Sequence, residues 1–144
     1  DLVHQLGATI IFSQQIVKLF RKQKYGNLIL ISSIMGVKAP DFEVYRGTKM
    51  NSPIEYSAIK SGVISIVKYL AKYLKNENIK INCLSPGGII SNQSKIFKKN
   101  YKKKCTSKGL LTAKDLCPSI RFLLSEKSKF MNGQNLIIDD GWSL

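Results

Sequence analysis

The sequence predicts an α/β fold built on a parallel sheet. Three short, nearly continuous apolar runs alternate along the chain with longer segments in which apolar residues recur at helical spacing. Runs without polar alternation are typical of strands covered on both faces, and strand–helix–strand order implies right-handed crossovers between parallel strands. The 144 residues amount to one domain, and 44% of them are hydrophobic, which is enough for a substantial core.

The first helix is predicted over residues 3–22 and the first strand over Asn27–Ser32. Cations in the last helical turn and Gly26 just beyond it predict where the helix ends. The strand is a run of almost only apolar residues, as expected for a buried parallel strand. The apolar positions that give the helix its period are Leu6, Ile10, Val17 and Phe20.

The clearest helix is predicted over Ile54–Lys75, after a long irregular segment, Ser33–Pro53. Loops of this length inside compact domains are usually functional or mobile. In the helix, one apolar stripe faces the predicted core and lysines occupy the far side. The stripe consists of Ile59, Val63, Ile66, Val67, Leu70 and Leu74.

The second strand is predicted at Lys80–Leu84, and the polar residues 92–109 follow it with seven lysines and no acid. The whole chain has a net charge of +14, which permits an anionic partner without selecting one. Three interpretations of the lysine-rich segment stay open: a solvated lid, a contact to an anionic substrate, or a nucleic-acid surface. Only Phe97 and Tyr101 supply aromatic rings there and no nucleic-acid motif is present, so we expect no nucleic-acid partner.

The last predicted elements are a helix and a third strand. Thr112 with Asp115 three residues later has the spacing of a capping box, and the helix is expected to run to about Ser125. Pro118 should disturb its first turns. The strand is predicted at Leu136–Asp139. Three strands leave an open edge and uncovered apolar faces, so we expect either further sheet from sequence absent here or pairing with another copy.

The cysteines and the single histidine exclude several classes of protein. The chain has an odd number of cysteines, Cys83, Cys105 and Cys117, so a disulfide framework is not expected. They form no CxxC pair and His4 is the only histidine, so a zinc site is not expected either. We interpret the cysteines as reduced thiols of a cytoplasmic protein. The longest mainly apolar stretch, residues 28–37, is too short to span a bilayer, so no membrane partner is expected.

Three polar groups have the spacing and the strand-end positions of a catalytic site. Tyr56 and Lys60 are four residues apart on one face of the clearest helix, where the ammonium group favours the phenolate. Such a pair can exchange a proton with an alcohol or a ketone. Ser33 follows the first strand and could bind the same substrate oxygen. Pro86 and Gly87 follow the next strand, where a glycine allows the backbone to approach a ligand.

In this order and at these strand ends, the residues resemble the short-chain dehydrogenase/reductase family. The resemblance covers essentially the whole chain but only the later part of the family's fold. It implies an incomplete Rossmann-like, doubly wound parallel sheet of about three strands with flanking helices, in which residues 1–144 are the C-terminal part of a single dehydrogenase domain. The matching strings are LILISSIMG (28–36), YSAIK (56–60), IKINCLSPGGIIS (79–91), FLLSEKSKFMNGQ (122–134) and LIIDDGW (136–142).

The resemblance implies a role for each matching residue. Ser33 matches the substrate-orienting serine and Tyr56 the acid/base tyrosine. Lys60 matches the lysine that favours the phenolate and hydrogen-bonds the nicotinamide ribose. The cofactor, NAD or NADP, would carry the hydride. The positions that match the family's contacts to the nicotinamide end are Tyr56, Lys60, Pro86, Gly87, Ile89 and Ser91.

The sequence also departs from the family. The asparagine that often completes the proton relay aligns with Gln5, and Asp140 stands where a glycine is common. The Ser33-to-Tyr56 interval is about ten residues longer than usual for this fold, and the extended segment 39–53 resembles that of bacterial flagellin-modification and surface-sugar members. The sequence contains no glycine-rich turn of the kind that binds the cofactor's pyrophosphate in this family.

The sequence thus predicts an oxidoreductase that transfers hydride between NAD(P) and an alcohol or ketone, with a chain that is truncated and inactive alone. The substrate is expected to be a small alcohol or carbonyl compound, such as an anionic sugar derivative. The alternative is a non-catalytic interaction module or remnant that pairs with a full-length relative. Homo-oligomers are expected through helices 3–22 and 54–75.

Overall fold

The computed structural model describes residues 2–144 as three strands and four α-helices, which confirms the predicted α/β class. Short 3-10 turns follow β1 (Ile34–Gly36 and Phe42–Tyr45) and α4 (Glu126–Ser128). In chain order the main elements are α1 (Leu2–Gln23), β1 (Gly26–Ile31), α2 (Ile54–Tyr73), β2 (Ile79–Pro86), α3 (Lys95–Lys102), α4 (Ala113–Leu124) and β3 (Asn135–Ile138).

The sheet is parallel throughout and has the order β1-β2-β3. Its register pairs Ile31 of β1 with Leu84 of β2, and Pro86 of β2 with Ile138 of β3. The carboxyl ends of all three strands therefore lie at one edge of the sheet, and the residues that follow them are neighbours. Within residues 2–144, the outer edge of β1 pairs with no further strand.

The core lies between the sheet and the two long helices. Ile81 and Cys83 of β2 are fully buried and pack against the stripe of α2 that the sequence predicts, with Val17 of α1 beside it. Neighbouring residues of a strand point to opposite faces. Asn27 of β1 accordingly points away from this cluster, and its amide donates to the Leu123 carbonyl of α4 at 2.8 Å. Helices α1 and α2 thus cover one face of the sheet, and α4 covers the other.

Helix α1 ends at Gln23, within one residue of the predicted end. The residue that adopts the left-handed conformation there is Lys24, with φ of 63°. Gly26 instead begins β1 against the Phe20 ring, where a β-carbon would fall 2.1 Å from ring carbons. The second strand is longer than predicted and includes Pro86, since β3 pairs along its outer end.

The lysine-rich segment contains a helix that the sequence pattern did not predict. Ser94 caps α3, accepting the amide N–H of Phe97 at 3.2 Å, and the aromatic residues Phe97 and Tyr101 are buried beneath the lysines. Helix α4 also differs from expectation, because it continues unbroken through Pro118. Pro118 lies on the exposed face, so its ring displaces no core residue.

Among residues 2–144, no helix has the length and apolar character that crossing a bilayer requires.

Candidate active site

A cleft of about 510 Å³ lies at the carboxyl edge of the sheet and collects most of the predicted site residues. Ser33 reaches it from the end of β1, and Tyr56 and Lys60 reach it from the first turns of α2. The turn after β2 forms the facing wall with Pro86, Gly87 and Ile89.

Two predicted positions lie outside this cleft lining. Ser91 is exposed, and its amide N–H donates to the Gln93 side chain at 2.7 Å. Gln5 is exposed on α1 and is not among the residues that line the cleft.

The serine is positioned by the turn that follows β1. Ser33 has extended backbone and caps the turn Ile34–Gly36, its Oγ accepting the Met35 amide N–H at 3.2 Å. The residue is 8% exposed. Accepting that bond leaves the hydroxyl hydrogen available to donate to a ligand in the cleft.

The turn is tied to α2 beside the tyrosine and lysine. The Ser32 hydroxyl donates to the Lys60 carbonyl at 2.7 Å, and the Ser61 hydroxyl donates to the Gly36 carbonyl at 3.0 Å. These bonds fix the end of β1 against the first half of α2. Ser33 and the pair Tyr56–Lys60 therefore face the cleft from two elements that are held together.

Tyr56 and Lys60 lie one helical turn apart and interact. The Lys60 ammonium lies 5.5 Å from the centroid of the Tyr56 ring, and 3.5 Å from the Ile31 carbonyl oxygen, the limit of a hydrogen bond. A cation beside a phenol stabilises negative charge that develops on the phenol oxygen during proton transfer. With only one weak protein acceptor among residues 2–144, the ammonium keeps donors for a ligand.

The remaining walls come from residues that the sequence analysis did not select. The extended segment contributes Tyr45, Asn51 and Ser52, and α3 contributes Phe97 and Tyr101. The sequence does contain an indication of α3, because an N-cap serine, Ser94, precedes the aromatic residues Phe97 and Tyr101, which are four apart. The many lysines between them made the segment look uniformly polar.

Tyr101 is the most enclosed of these residues, at 2% exposed. Its oxygen accepts the Gly88 amide N–H at 2.6 Å, and its ring stacks on Trp142 with centroids 5.8 Å apart. Burial raises the pKa of Tyr101 well above its usual range. A β-carbon at position 88 would lie 2.9 Å from this ring, so the close approach depends on a glycine.

The segment after α3 is anchored by Asp140, just beyond β3. Asp140 has φ of 56°, the left-handed conformation that explains why a glycine is common there. Its carboxylate accepts the hydroxyl hydrogens of Thr106 and Ser107 and the amide hydrogens of residues 107, 108 and 109. These bonds hold the pKa of Asp140 well below its usual range.

Helix α3 and the residues directly after it are also tied to the extended segment. The Lys104 ammonium pairs with Asp41 at 2.7 Å, and the Asn100 side-chain amide donates to the Arg46 carbonyl at 3.1 Å. The two segments therefore form one continuous wall of the cleft.

Within residues 2–144, no cluster of three histidine, cysteine or acidic side chains has a geometry that would hold a metal ion. The three cysteines are free thiols, and burial raises the pKa of Cys83.

Comparison with known proteins gives consistent matches. Residues 4–143 match the family model described as "Enoyl-(Acyl carrier protein) reductase". The post-translational flagellin modification protein A of Campylobacter coli is 54% identical over 139 residues, which cover 96% of this chain and 54% of that protein. The 7alpha-hydroxysteroid dehydrogenase of Bacteroides fragilis is 29% identical, with 96% of this chain and 52% of that protein covered.

A solved structure has the same fold. The short-chain dehydrogenase of Leptospira borgpetersenii with bound NAD+ superposes with a TM-score of 0.91 at 37% identity, covering 99% of this chain and 55% of that one. The present chain spans about half the length of the curated relatives it matches.

Proposed function

This chain belongs to the short-chain dehydrogenase/reductase family, and from that premise we propose that it is the catalytic half of an oxidoreductase that interconverts an alcohol and a ketone. The observation that carries the proposal is the convergence of Ser33, Tyr56 and Lys60 on one cleft at the carboxyl ends of parallel strands.

Each of the three residues has a proposed task. The Ser33 hydroxyl donates a hydrogen bond to the substrate oxygen and holds it beside Tyr56. Tyr56 gives its phenolic proton to that oxygen in reduction and takes it back in oxidation. The Lys60 ammonium stabilises the negative charge that develops on the Tyr56 oxygen as the proton leaves.

NAD or NADP supplies the hydride in this proposal. The residues present fit its nicotinamide end, because the Lys60 ammonium keeps donors for hydroxyl groups and the turn at Pro86, Gly87 and Ile89 lines the same cleft. Ser91 lies on the same loop. The other half of the cofactor needs a phosphate-binding turn, and we propose that sequence upstream of residue 1 provides it. Residues 1–144 are then the C-terminal part of a single Rossmann-like domain.

The decisive experiment is the Tyr56→Phe variant in an enzyme that carries the upstream half. Oxidation of NADH or NADPH by a carbonyl substrate should slow by about 10² to 10⁴-fold, the usual contribution of a positioned acid. Tyr25→Phe is the matched control, because Tyr25 is 60% exposed and lies outside the cleft. Undiminished turnover by Tyr56→Phe would remove the tyrosine from the mechanism.

We propose an anionic sugar derivative as the substrate. The hydroxyl and amide groups of Tyr45, Asn51 and Ser52 line the cleft and suit a polyhydroxylated ligand. The lysines of α3 lie outside the cleft lining, and their charge would attract an anionic group at longer range. A screen of sugar nucleotides against their uncharged parent sugars tests it, and equal turnover of both sets would contradict it. A cytoplasmic location, suited to free thiols, is part of the proposal.

A second candidate function rests on the groove between α1 and α2. This groove of about 610 Å³ is lined by Ile10, Val17, Tyr69 and Tyr73, with exposed apolar residues beside it. It would pair copies of the enzyme or, in the non-catalytic alternative, bind a full-length relative. Ile10→Lys should shift the mass measured by light scattering to the monomer. A stop codon directly upstream in the gene would favour the non-catalytic alternative over the enzyme.

A further inference from the structure

We propose that Tyr101 is a substrate-binding residue whose phenolic hydroxyl donates a hydrogen bond to a second oxygen of the substrate, away from the reacting carbonyl. The inference rests on the proposed function, since it assigns a further contact in the same cleft. It also restricts the substrate class to carbonyl compounds that carry another oxygen acceptor, as cyclic keto-sugars do.

The first support is the hydrogen-bonding capacity of the buried hydroxyl. A phenol has one donor and can also accept. The Tyr101 oxygen accepts the Gly88 amide N–H at 2.6 Å, but within residues 2–144 its own hydrogen has no acceptor. A buried donor without a partner is uncommon, because it has lost its hydrogen bonds to water. Tyr101 is only 2% exposed, so its hydroxyl is an unused donor in a nearly fully buried position.

The second support is the location of the hydroxyl. Besides its bond to Gly88, the Tyr101 oxygen lies 3.0 Å from the point where a β-carbon of Gly87 would stand. Both glycines line the cleft that contains Ser33 and Tyr56. The unused donor therefore lies at the Gly87–Gly88 turn, which lines the cleft, and a substrate that reaches this turn would meet it.

The third support is that the hydroxyl is held in one place. The Tyr101 ring lies between Phe97, with centroids 5.7 Å apart, and Trp142, with centroids 5.8 Å apart. A β-carbon at position 87 or 88 would crowd the phenol, so the two glycines set its distance from the turn. A donor fixed before binding loses little freedom when the substrate arrives.

Tyr101 and Tyr56 are suited to different tasks. Burial away from cations raises the pKa of Tyr101, so its phenol keeps the proton and acts as a donor. Tyr56 is exposed and lies beside the Lys60 ammonium, which stabilises negative charge on a phenol oxygen that gives up its proton. Tyr101 therefore positions the substrate and takes no part in the proton transfer.

The test compares two cyclic ketones of the same shape, tetrahydropyran-4-one and cyclohexanone, which differ by an ether oxygen in place of a methylene group. The enzyme carrying its upstream half should turn over the pyranone with a kcat/KM about threefold to tenfold higher, the effect of one neutral hydrogen bond. Tyr101→Phe keeps the ring packing and should remove this preference, whereas Tyr25→Phe should keep it. A general loss that affects both ketones equally would indicate a merely structural role and overturn the inference.

Binding of the same two ketones, followed by ligand-observed NMR, provides a measurement that needs no turnover and no variant. Wild-type enzyme should bind the pyranone more tightly by a similar factor, and equal affinities overturn the inference even if Tyr101→Phe does not fold. A weaker affinity of Tyr101→Phe for NADH or NADPH alone, with ketone preference retained, would assign the donor to the cofactor and also overturn it. Failure of the proposed function is separate, because it appears as undiminished turnover by Tyr56→Phe.

Discussion

Gly36 lies so close to the main chain of Lys60 that a β-carbon at position 36 would fall 2.6 Å from the Lys60 carbonyl carbon. The contact joins the turn after β1 to the helix that carries Tyr56, and the Ser32 hydroxyl bonds the same carbonyl. This contact between two main chains fixes the position of Ser33 relative to Tyr56, and only a glycine at position 36 allows it.

Gly36→Ala should therefore damage both stability and activity. The added methyl group meets backbone on α2 and cannot be relieved by a side-chain rotation, so we expect a loss of about 1–3 kcal/mol in the free energy of unfolding. Denaturant titration measures it, and kcat should fall more than KM rises. Gly7→Ala is the control, because a β-carbon there meets nothing within 4 Å and an alanine inside a helix should stabilise by about 0.5–1 kcal/mol. Equal effects at both positions would contradict the close contact.

Lys60 variants should separate charge from shape. Lys60→Met keeps most of the side-chain length but removes the cation beside the phenol and its donors for the cofactor, so kcat/KM for NADH or NADPH should fall by about 10-fold or more. Lys72→Met, at the far end of the same helix, should leave kcat/KM unchanged. Undiminished kcat/KM in Lys60→Met would show that the ammonium takes no part in the reaction.

Stability at low pH should depend on Asp115 and Asp140. Hydrogen bonds and the Lys108 ammonium lower the pKa of Asp115 to about 2, and the pKa of Asp140 is also lowered. A carboxyl whose pKa is lower in the folded state stabilises the fold above its unfolded value of about 4, and this contribution is lost as the pH falls. The melting temperature should therefore fall as the pH is lowered from about 4 to about 2.

Asp140→Asn should reduce that decrease and loosen the lysine-rich segment. Asparagine tolerates the left-handed conformation, so the backbone requirement is kept while the carboxylate is lost. Amide hydrogen exchange at residues 107, 108 and 109 should become faster, because these amides bond the carboxylate. Glu77→Gln, which removes a carboxylate paired with Arg21 far from this segment, should leave those amides protected. Unchanged exchange in Asp140→Asn would contradict the anchoring role.

Pro118→Ala should stabilise the protein. The proline lies inside α4 and cannot donate to the Lys114 carbonyl, while alanine restores the donor on an exposed face. We expect a gain of about 2 kcal/mol in the free energy of unfolding, since a proline inside a helix costs about 3 kcal/mol and a freer unfolded chain offsets part of it. Ser119→Ala, one position later, is the control and should change stability little. A loss in Pro118→Ala would show that the helix gains from the proline.

The elements that the sequence predicted are those whose signal is local. Three apolar runs marked the strands, and the stripe from Ile59 to Leu74 marked α2, because burial there follows from spacing along the chain. The site residues Ser33, Tyr56 and Lys60 could be placed on one side of the sheet because parallel strands end at the same edge. The three residues line one cleft, and their roles there stay predictions.

Helix α3 was not predicted because its stability depends on contacts between distant segments. It is held by a cluster in which Phe97 and Tyr101 meet Val44, Leu110 and Trp142, and no window of the sequence contains this combination. Here tertiary contacts outweigh the local pattern of lysines.

The position of Ser91 depends on local side-chain bonds that the sequence pattern does not encode. The Ser91 amide N–H donates to the Gln93 side chain, which in turn donates to the Ile89 carbonyl, and Ser91 is not among the residues that line the cleft.

The contacts that join α3 to the extended segment 39–53 also bear on protein engineering. The ion pair Lys104–Asp41 and the bond from Asn100 to Arg46 cross between two pieces of chain that are more than fifty residues apart. Grafting either piece alone from a homologue would break this seam and misplace Tyr45 or Tyr101. Specificity in these enzymes should therefore be transplanted as a two-part cassette, both pieces taken from the same donor.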